Sequence, residues 1–211
     1  MKIVVFGATG GTGRLLLRGA VGRGHVVTAF VRQRARLEAI DGVRVVDGDA
    51  TDPRAVRAAV AGQDAVLLAL GPRTIGANPL LEIAGANLVA AMRDAGVARM
   101  IVLGAAGALH DSGAHLSAFT RAGFALFKAT ILRFPMGMQA RLQQIVETSE
   151  LDYTIVLPPR LLDGGRVGAY RVRLDGLPPG GLRLNRADLA DFMLDCLDRS
   201  VFIRQSPYIA Y

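Results

Sequence analysis

The chain has 211 residues, 51% of them apolar, with no shift in composition along its length, so we expect one domain spanning residues 1–211. Its net charge of +7 comes from dispersed arginines and only 6% of residues are aromatic, which argues against a nucleic-acid-binding protein. A single cysteine, Cys196, excludes an internal disulfide, and the apolar runs are too short for a secretion signal or a membrane anchor, so we expect a cytoplasmic protein.

Short runs rich in Val, Ile and Leu alternate along the chain with helical patterns. Continuous apolar runs of this kind are typical of strands buried on both faces of a parallel sheet. The predicted strands are residues 2–7, 25–31, 43–49, 64–71, 99–105 and 153–159, and the predicted helices are residues 13–21, 53–60, 79–95, 138–148 and 186–198. This succession predicts an α/β protein with a Rossmann-type, doubly wound parallel sheet in a single domain.

The first strand and the first helix are joined by the segment GATGGTG, which begins at Gly7. In that position Gly7 ends the strand, Gly10 lets the backbone pass close to a pyrophosphate, and Gly13 lets the helix pack closely on the sheet. Thr9 and Thr12 add hydroxyl donors. The first gap is one residue wider than in the commonest dinucleotide fingerprint, so the location between strand and helix carries the prediction. A plain turn without a ligand is the alternative.

The second strand ends in VRQRAR, with Arg32, Arg34 and Arg36 and no carboxylate. An acidic residue at this point usually binds the ribose hydroxyls of NAD, whereas arginine can bind a 2′-phosphate through paired N–H donors. The sequence therefore favours NADP(H) over NAD(H). The alternative is that these arginines, Arg34 above all, belong to a solvated helix start.

Two further strand ends contribute candidates for the same ligand. Asp49 follows the third strand, where its carboxylate can meet the adenine amino group and Ala50 can pack on the ring; the alternative for Asp49 is a helix cap before Pro53. Leu70 and Gly71 end the fourth strand. Because the crevice of an open parallel sheet lies at the carboxyl edge of its strands, we expect all four residues to border it.

Seven segments, read together, resemble the atypical short-chain dehydrogenase/reductases with NmrA-like folds. They are GATGGTG, FVRQRARL, VVDGDATD, AGQDAVLLALG, YTIVLPP, GAYRVRLDG and ADLADFMLDCL. Within that family the resemblance is to the biliverdin-IXβ reductases, which are also NADPH-dependent flavin reductases. It covers nearly the whole chain except for residues 107–135.

The resemblance implies a small reductase that takes hydride from NADPH and passes it to a planar conjugated acceptor such as a flavin or a linear tetrapyrrole. By position, the family's pyrophosphate loop is matched by Gly7, Thr9, Gly10, Gly11, Thr12 and Gly13, its 2′-phosphate arginines by Arg32 and Arg36, and its adenine pocket by Asp49 and Ala50. The loop beside the nicotinamide is matched by Leu70, Gly71 and Arg73, and the proline turn that borders the nicotinamide by Pro158 and Pro159. Arg160 follows into the expected substrate cleft, where relatives often have histidine.

The departures from the family bear on the mechanism. Ala105 stands where relatives usually carry serine or threonine beside the reacting ring. None of the four tyrosines has lysine four residues later, and the nearest match in spacing is Phe124 with Lys128, which carries no phenol proton. We therefore assign no catalytic acid. Carbonyl reduction loses its proton step, while hydride transfer to a flavin or bilin needs mainly positioning and can take its proton from solvent.

The remaining candidates are less specific. His25 precedes the second strand in a turn and is expected to be structural. His110 and His115 lie in residues 107–135, the divergent segment that the family resemblance does not cover. That segment mixes phenylalanine with basic residues, which fits a lid over a flat substrate, a core helix, a dimer face or a membrane-surface helix. No His, Cys or acidic cluster has metal-ligand spacing, so no metal is expected.

Two other classes of function stay open. One is a non-catalytic NADP(H)-binding module, since NmrA-like proteins include redox-sensing regulators, and the alanine at position 105 favours it. The other is an accessory factor that uses the fold as a scaffold for a protein partner. As an enzyme, the protein is expected to act as a monomer or homodimer on a small aromatic acceptor.

Overall fold

The structure is a computed structural model that describes residues 1–71, 79–106 and 133–211, with the side chains of residues 133–135 excepted. Its centre is a six-stranded sheet in the order β3-β2-β1-β4-β5-β6, and every neighbouring pair is parallel. The strands are β1 Lys2–Phe6, β2 Val26–Val31, β3 Val43–Asp47, β4 Ala65–Leu68, β5 Arg99–Leu103 and β6 Asp152–Val156. The strand order changes direction between β1 and β4, so a crevice forms there at the carboxyl edge.

Helices cover both faces of the sheet. They are α1 Gly11–Gly22, α2 Pro53–Val60, α3 Leu80–Ala95, α4 Arg133–Glu147 and α5 Arg186–Asp198. Successive residues of β1 divide between two apolar clusters: Ile3 and Val5 belong to the cluster of α1 and α5, and Val4 and Phe6 to the cluster of α2, α3 and α4. Both faces of the strand are therefore buried, which explains its continuous apolar sequence, and the predicted doubly wound fold is confirmed.

Four short strands lie outside the main sheet and were not predicted. They are β7 Arg160–Leu162, β8 Arg171–Arg173, β9 Arg183–Asn185 and β10 Tyr208–Ala210; β7 pairs with β9 in parallel and β8 pairs with β10 antiparallel. Each has three residues, too few for a period to be recognised in the sequence. They place the chain that follows β6 beside the carboxyl edge of the sheet.

A buried carboxylate holds this last part of the chain together. Asp188 on α5 is 0% exposed. It accepts hydrogen bonds from the N–H groups of Val167 and Gly168, the latter at 2.7 Å, and from the Tyr211 hydroxyl at 2.5 Å. Burial alone would raise the pKa of Asp188, but these hydrogen bonds outweigh it and lower that pKa. The carboxylate thus ties the loop after β7 and the last residue to α5.

Most of the divergent segment, residues 107–135, lies outside the part of the chain that the structure describes. Residues 107–132, with His110, His115, Phe124 and Lys128, lie outside the described residues, so the expectations for a lid, a dimer face or a substrate-binding histidine stay predictions. None of the helices in the described part of the chain has the length and apolar composition needed to cross a lipid bilayer.

Candidate functional site

Two adjoining cavities open at the carboxyl edge of the sheet. The first has a volume of about 490 Å³ and is lined by the loop between β1 and α1 and by residues that follow β4, β5 and β6. The second, of about 50 Å³, lies beside the ends of β2 and β3. Both are lined by Gly7, Thr9, Leu70 and Gly71, so together they form one groove that crosses the glycine-rich loop.

Two of the loop's glycines are required by the fold itself. Gly7 has a φ of +83°, and a Cβ atom there would lie 2.4 Å from the Ala69 carbonyl oxygen at the end of β4. A Cβ atom on Gly13 would lie 2.2 Å from the Gly7 carbonyl oxygen, because α1 packs directly against the loop. Any side chain at either position would force the backbone apart.

Gly10 is different. Its φ of −78° and ψ of 165° suit any residue, and the nearest atom to a Cβ built there is the Gly7 carbonyl oxygen at 3.3 Å. Gly10 also lines the larger cavity, so the space beside it belongs to the groove. A ligand group that contacts the backbone and fills this space would explain why position 10 is glycine, as a pyrophosphate does in dinucleotide sites.

The amino end of α1 supplies the electrostatics for such an anion. Within the described ranges no side chain caps this helix, and its first turn contains no acidic residue. The first N–H groups of the helix and the positive end of its dipole are therefore available where Gly11 and Thr12 line the cavity. Thr9 lines it as well. These features suit a pyrophosphate group.

The second cavity is lined by Arg32, Asp49 and Ala50, with the rings of Phe6 and Phe30 also contributing. The phenylalanine ring centroids are 4.6 Å apart. Arg32 Nη1 lies 3.9 Å from Asp49 Oδ2, and both side chains are nearly half exposed, so either group can turn to a ligand. This arrangement puts a cation and an apolar pocket at the end of the groove where an adenosine would lie.

Asp49 closes a local turn and does not cap the helix. Its Oδ1 accepts hydrogen bonds from the N–H and the hydroxyl of Thr51, at 2.9 and 2.8 Å. The Thr51 N–H bond is the main reason why the pKa of Asp49 is lowered, with the Thr51 hydroxyl and Arg32 acting in the same direction against partial burial. The cap of α2 is Asp52, which accepts from the Arg54 N–H at 2.9 Å.

The other two arginines of this region behave differently from Arg32. Arg34 turns to β3, with Nε 3.3 Å from Asp47 Oδ2 and Nη2 2.7 Å from the Val45 carbonyl oxygen. It begins a short exposed 3-10 helix, Arg34–Arg36, which agrees with the alternative of a solvated helix start. Arg36 is exposed and lines neither cavity; its carbonyl oxygen accepts from Arg14 Nη2 at 3.2 Å. Arg14 is a basic residue that the sequence reasoning missed here, since only folding brings α1 next to this corner.

The opposite end of the groove is lined by Gly104, Ala105, Pro158 and Pro159. The loops after β5 and β6 are joined there by the Ala106 N–H, which donates to the Pro158 carbonyl oxygen at 3.0 Å. Beyond the prolines, the residue that lines the cavity is Leu161.

The two basic residues expected near this end are not seen in its lining. Arg160 is exposed on β7 and is absent from the lining of the cavity, because neighbouring residues of a strand point to opposite faces. Arg73 lies outside the described residues.

Proton donors are scarce at this end of the groove. Among the described lining residues, the hydroxyl groups are those of Thr9 and Thr12 in the glycine-rich loop, and no tyrosine contributes. Gln139 on α4 adds a neutral amide; it is 6% exposed, and its Oε1 has no hydrogen-bond partner in the part of the chain that the structure describes. Within that same part, no group of three or more His, Cys, Asp or Glu side chains could hold a metal ion.

One charged residue of the cavity was missed altogether by sequence reasoning. Arg186 begins α5 and lines the large cavity next to Gly11. Its Nη1 lies 2.5 Å from Asp163 Oδ1. No local motif marks it, because it reaches the loop from the far end of the chain.

Comparison with known proteins agrees with this geometry. YwnB of Bacillus subtilis (strain 168), an uncharacterized protein, is 29% identical over 203 residues, which are 94% of this chain and 92% of YwnB. The structure of ChuY, an anaerobilin reductase from Escherichia coli O157:H7, has a TM-score of 0.79 and 25% identity, with 100% of this chain and 97% of ChuY covered.

A short-chain dehydrogenase/reductase (wide type) from Veillonella parvula DSM 2008, solved in complex with NADP, has a TM-score of 0.81, with 100% of this chain and 94% of that chain covered. At 17% identity it shows the shared fold alone. The model of one family, described as NAD(P)H-binding, matches residues 7–200, which is nearly the whole chain. The chain therefore belongs to this NAD(P)H-binding family.

Proposed function

We propose that the protein is an NADPH-dependent reductase that delivers hydride to a flavin or a similar planar conjugated acceptor. The observation that carries the proposal is the groove itself, which joins the glycine-rich loop to an apolar end. The described residues that line this end include no carboxyl, phenol or hydroxyl group that could donate a proton. Gly10, Gly11 and Thr12 would hold the pyrophosphate, and Ala105 with Pro158 would border the nicotinamide.

The preference for NADPH rests on the second cavity. Arg32 lines it, and the end of β2 carries no carboxylate that would repel a 2′-phosphate. Asp49 keeps Oδ2 free of the Thr51 hydrogen bonds, so this oxygen can accept from the adenine amino group. The NADP complex of the Veillonella parvula protein shows that this fold accommodates the phosphorylated cofactor.

The chemistry of the cleft favours an acceptor that needs no protein acid. NADPH, when bound, supplies a hydride from its nicotinamide. The walls formed by Ala105, Pro158, Pro159 and Leu161 can position a flat apolar ring and exclude water from one of its faces. A flavin or bilin that accepts hydride delocalises the added charge and takes its proton from water, whereas a ketone would become an alkoxide with no neighbouring donor. ChuY, which reduces anaerobilin, supports a reductase role for this fold.

The test is the oxidation of NADPH followed at its absorbance maximum with a panel of acceptors: FMN, FAD, biliverdin isomers, anaerobilin, quinones and simple ketones. We expect turnover with at least one of the conjugated acceptors and negligible turnover with ketones. Gly10→Val is the control variant, since turnover that persists in it would arise outside the groove. Fast ketone reduction by the wild-type protein would contradict the proposed mechanism.

Ala105 also favours a second function. Because Ala105 carries no hydroxyl, the groove would also serve a non-catalytic NADP(H)-binding regulator or an accessory factor that binds a protein partner. Tight NADPH binding without turnover of any acceptor in the panel would select this alternative.

A further inference from the structure

Arg186 lies beside the amino end of α1. A Cβ atom built on Gly11 would lie 3.0 Å from Arg186 Cδ and 3.2 Å from its Nε, so the arginine side chain runs directly over the first residue of α1. Gly11 and Arg186 both line the large cavity. The helix end that would bind a pyrophosphate thus has a guanidinium beside it, and that guanidinium comes from α5, the last helix of the chain.

The present partner of Arg186 is weakly held. Asp163, in the chain after β7, contacts Nη1 at 2.5 Å, yet its side chain is 91% exposed, while that of Arg186 is 29% exposed. Among the described residues Arg186 makes no other ion pair. Ion pairs with so exposed a partner add little stability, because the carboxylate is almost equally well solvated by water.

We propose that Arg186 is a pyrophosphate ligand, and that Asp163 holds its guanidinium until the nucleotide binds. The inference rests on the proposed function in so far as that function places a dinucleotide in the groove. A pyrophosphate at the amino end of α1 offers Arg186 two charged acceptor groups, against one exposed carboxylate from Asp163. The exchange would tie α5, and the cleft formed by the C-terminal part of the chain, to the bound cofactor.

This role differs from that of Arg32 in a measurable way. The 2′-phosphate is present in NADPH and absent from NADH, whereas the pyrophosphate is present in both. Loss of Arg186 should therefore weaken the binding of NADPH and NADH by the same factor. Adenosine 2′-monophosphate, which has no pyrophosphate, should bind equally well with and without Arg186.

Asp163 makes the prediction sharper because its removal should act in the opposite direction. If its carboxylate competes with the pyrophosphate for Arg186, then Asp163→Asn frees the guanidinium and improves the binding of both dinucleotides. The gain should be roughly two- to fivefold, the population effect expected for losing an exposed ion pair. In Arg186→Gln the Asp163→Asn change should have no further effect, because the competition has disappeared.

The experiment is calorimetric titration of the full chain with NADPH, NADH and adenosine 2′-monophosphate, without any acceptor. We expect Arg186→Gln to weaken both dinucleotides by about tenfold or more, as for loss of a charge-assisted phosphate contact. Matched controls are Arg57→Gln and Asp94→Asn, the partners of an exposed pair at 3.2 Å between α2 and α3, neither of which lines the groove. Both should bind as the wild-type protein does.

Three results would overturn the inference: unchanged dinucleotide affinity in folded Arg186→Gln, a loss confined to NADPH, or weaker binding in Asp163→Asn. Should Arg186→Gln fail to fold, the Asp163→Asn titration still decides. Wild-type protein that binds NADPH but reduces no acceptor would refute the reductase while leaving the Arg186 readout intact. Wild-type protein that binds neither dinucleotide would refute both.

Discussion

Replacing Gly10 with valine should separate nucleotide binding from folding. The backbone at Gly10, with φ −78° and ψ 165°, lies in the extended region that β-branched residues prefer. Of the atoms in the described residues, a Cβ atom there would meet only the Gly7 carbonyl oxygen, at 3.3 Å, a contact that a shift of a few tenths of an ångström relieves. We expect the free energy of unfolding to change by no more than about 1 kcal/mol.

The effect on binding should be much larger. The valine methyl groups would project into the groove at the point where a pyrophosphate approaches the backbone. The phosphates would then lose contact with the amino end of α1, so we expect NADPH affinity to fall by at least about a hundredfold, or roughly 2.7 kcal/mol.

The measurement combines NADPH titration by fluorescence with thermal unfolding of the same samples. Gly22→Val is the matched control on α1, because a Cβ atom there meets nothing within 4 Å; it should retain NADPH affinity. Gly13→Ala is the converse, since its Cβ would lie 2.2 Å from the Gly7 carbonyl oxygen and should destabilise the fold itself. A folded Gly10→Val protein with wild-type NADPH affinity would refute the placement of the phosphate.

Three further predictions concern other parts of the molecule. NADPH should bind more tightly than NADH. Arg32→Ala should remove most of that preference, because it loses a charge-assisted contact that contributes about 1.5 to 3 kcal/mol, and Arg36→Ala should remove less of it. Equal affinities for NADPH and NADH in the wild type would contradict this prediction. Ala105→Ser should change flavin turnover by less than about tenfold, or roughly 1.4 kcal/mol in the barrier, whereas a larger gain in NADPH oxidation would show that a hydroxyl limits the rate. Asp188 has a pKa lowered from 3.8, so its stabilisation is present above that pH and is lost as the pH falls through the lower folded-state value. Urea unfolding at neutral and acidic pH should therefore show that the free energy of unfolding depends less on pH in Asp188→Asn than in the wild type. At neutral pH the variant should lose about 2 to 4 kcal/mol of that free energy. An unchanged pH dependence would argue against the hydrogen bonds of Asp188 as the source of the acid sensitivity.

The fold, and the glycine-rich loop between β1 and α1, could be predicted because their signals are local. Strand residues buried on both faces of the sheet must be apolar without alternation, as residues 3–6 of β1 and all of β4 are, and this pattern needs no knowledge of the neighbouring elements. Gly7 and Gly10 lie in the turn after β1 and Gly13 lies in the first turn of α1, so their location between a strand and a helix indicates close backbone approach. The sequence also showed directly that position 105 has no hydroxyl and that no tyrosine is followed by a suitably spaced lysine.

Tertiary structure decided which side chains meet across the groove. The sequence matched both Arg32 and Arg36 to a 2′-phosphate, yet only Arg32 of the two lines the second cavity, while Arg34 pairs with Asp47 on β3. The structure likewise places Leu161, not its neighbour Arg160, in the cleft.

Arg186 reaches Gly11 only because α5 packs beside α1, a contact between opposite ends of the chain. Such contacts depend on the packing of whole elements, and the residues that make them carry no periodicity or motif of their own. The amino-acid sequence by itself therefore determined the sheet, the glycine-rich loop and the absence of a hydroxyl at position 105, while packing alone decided which charged groups surround the groove.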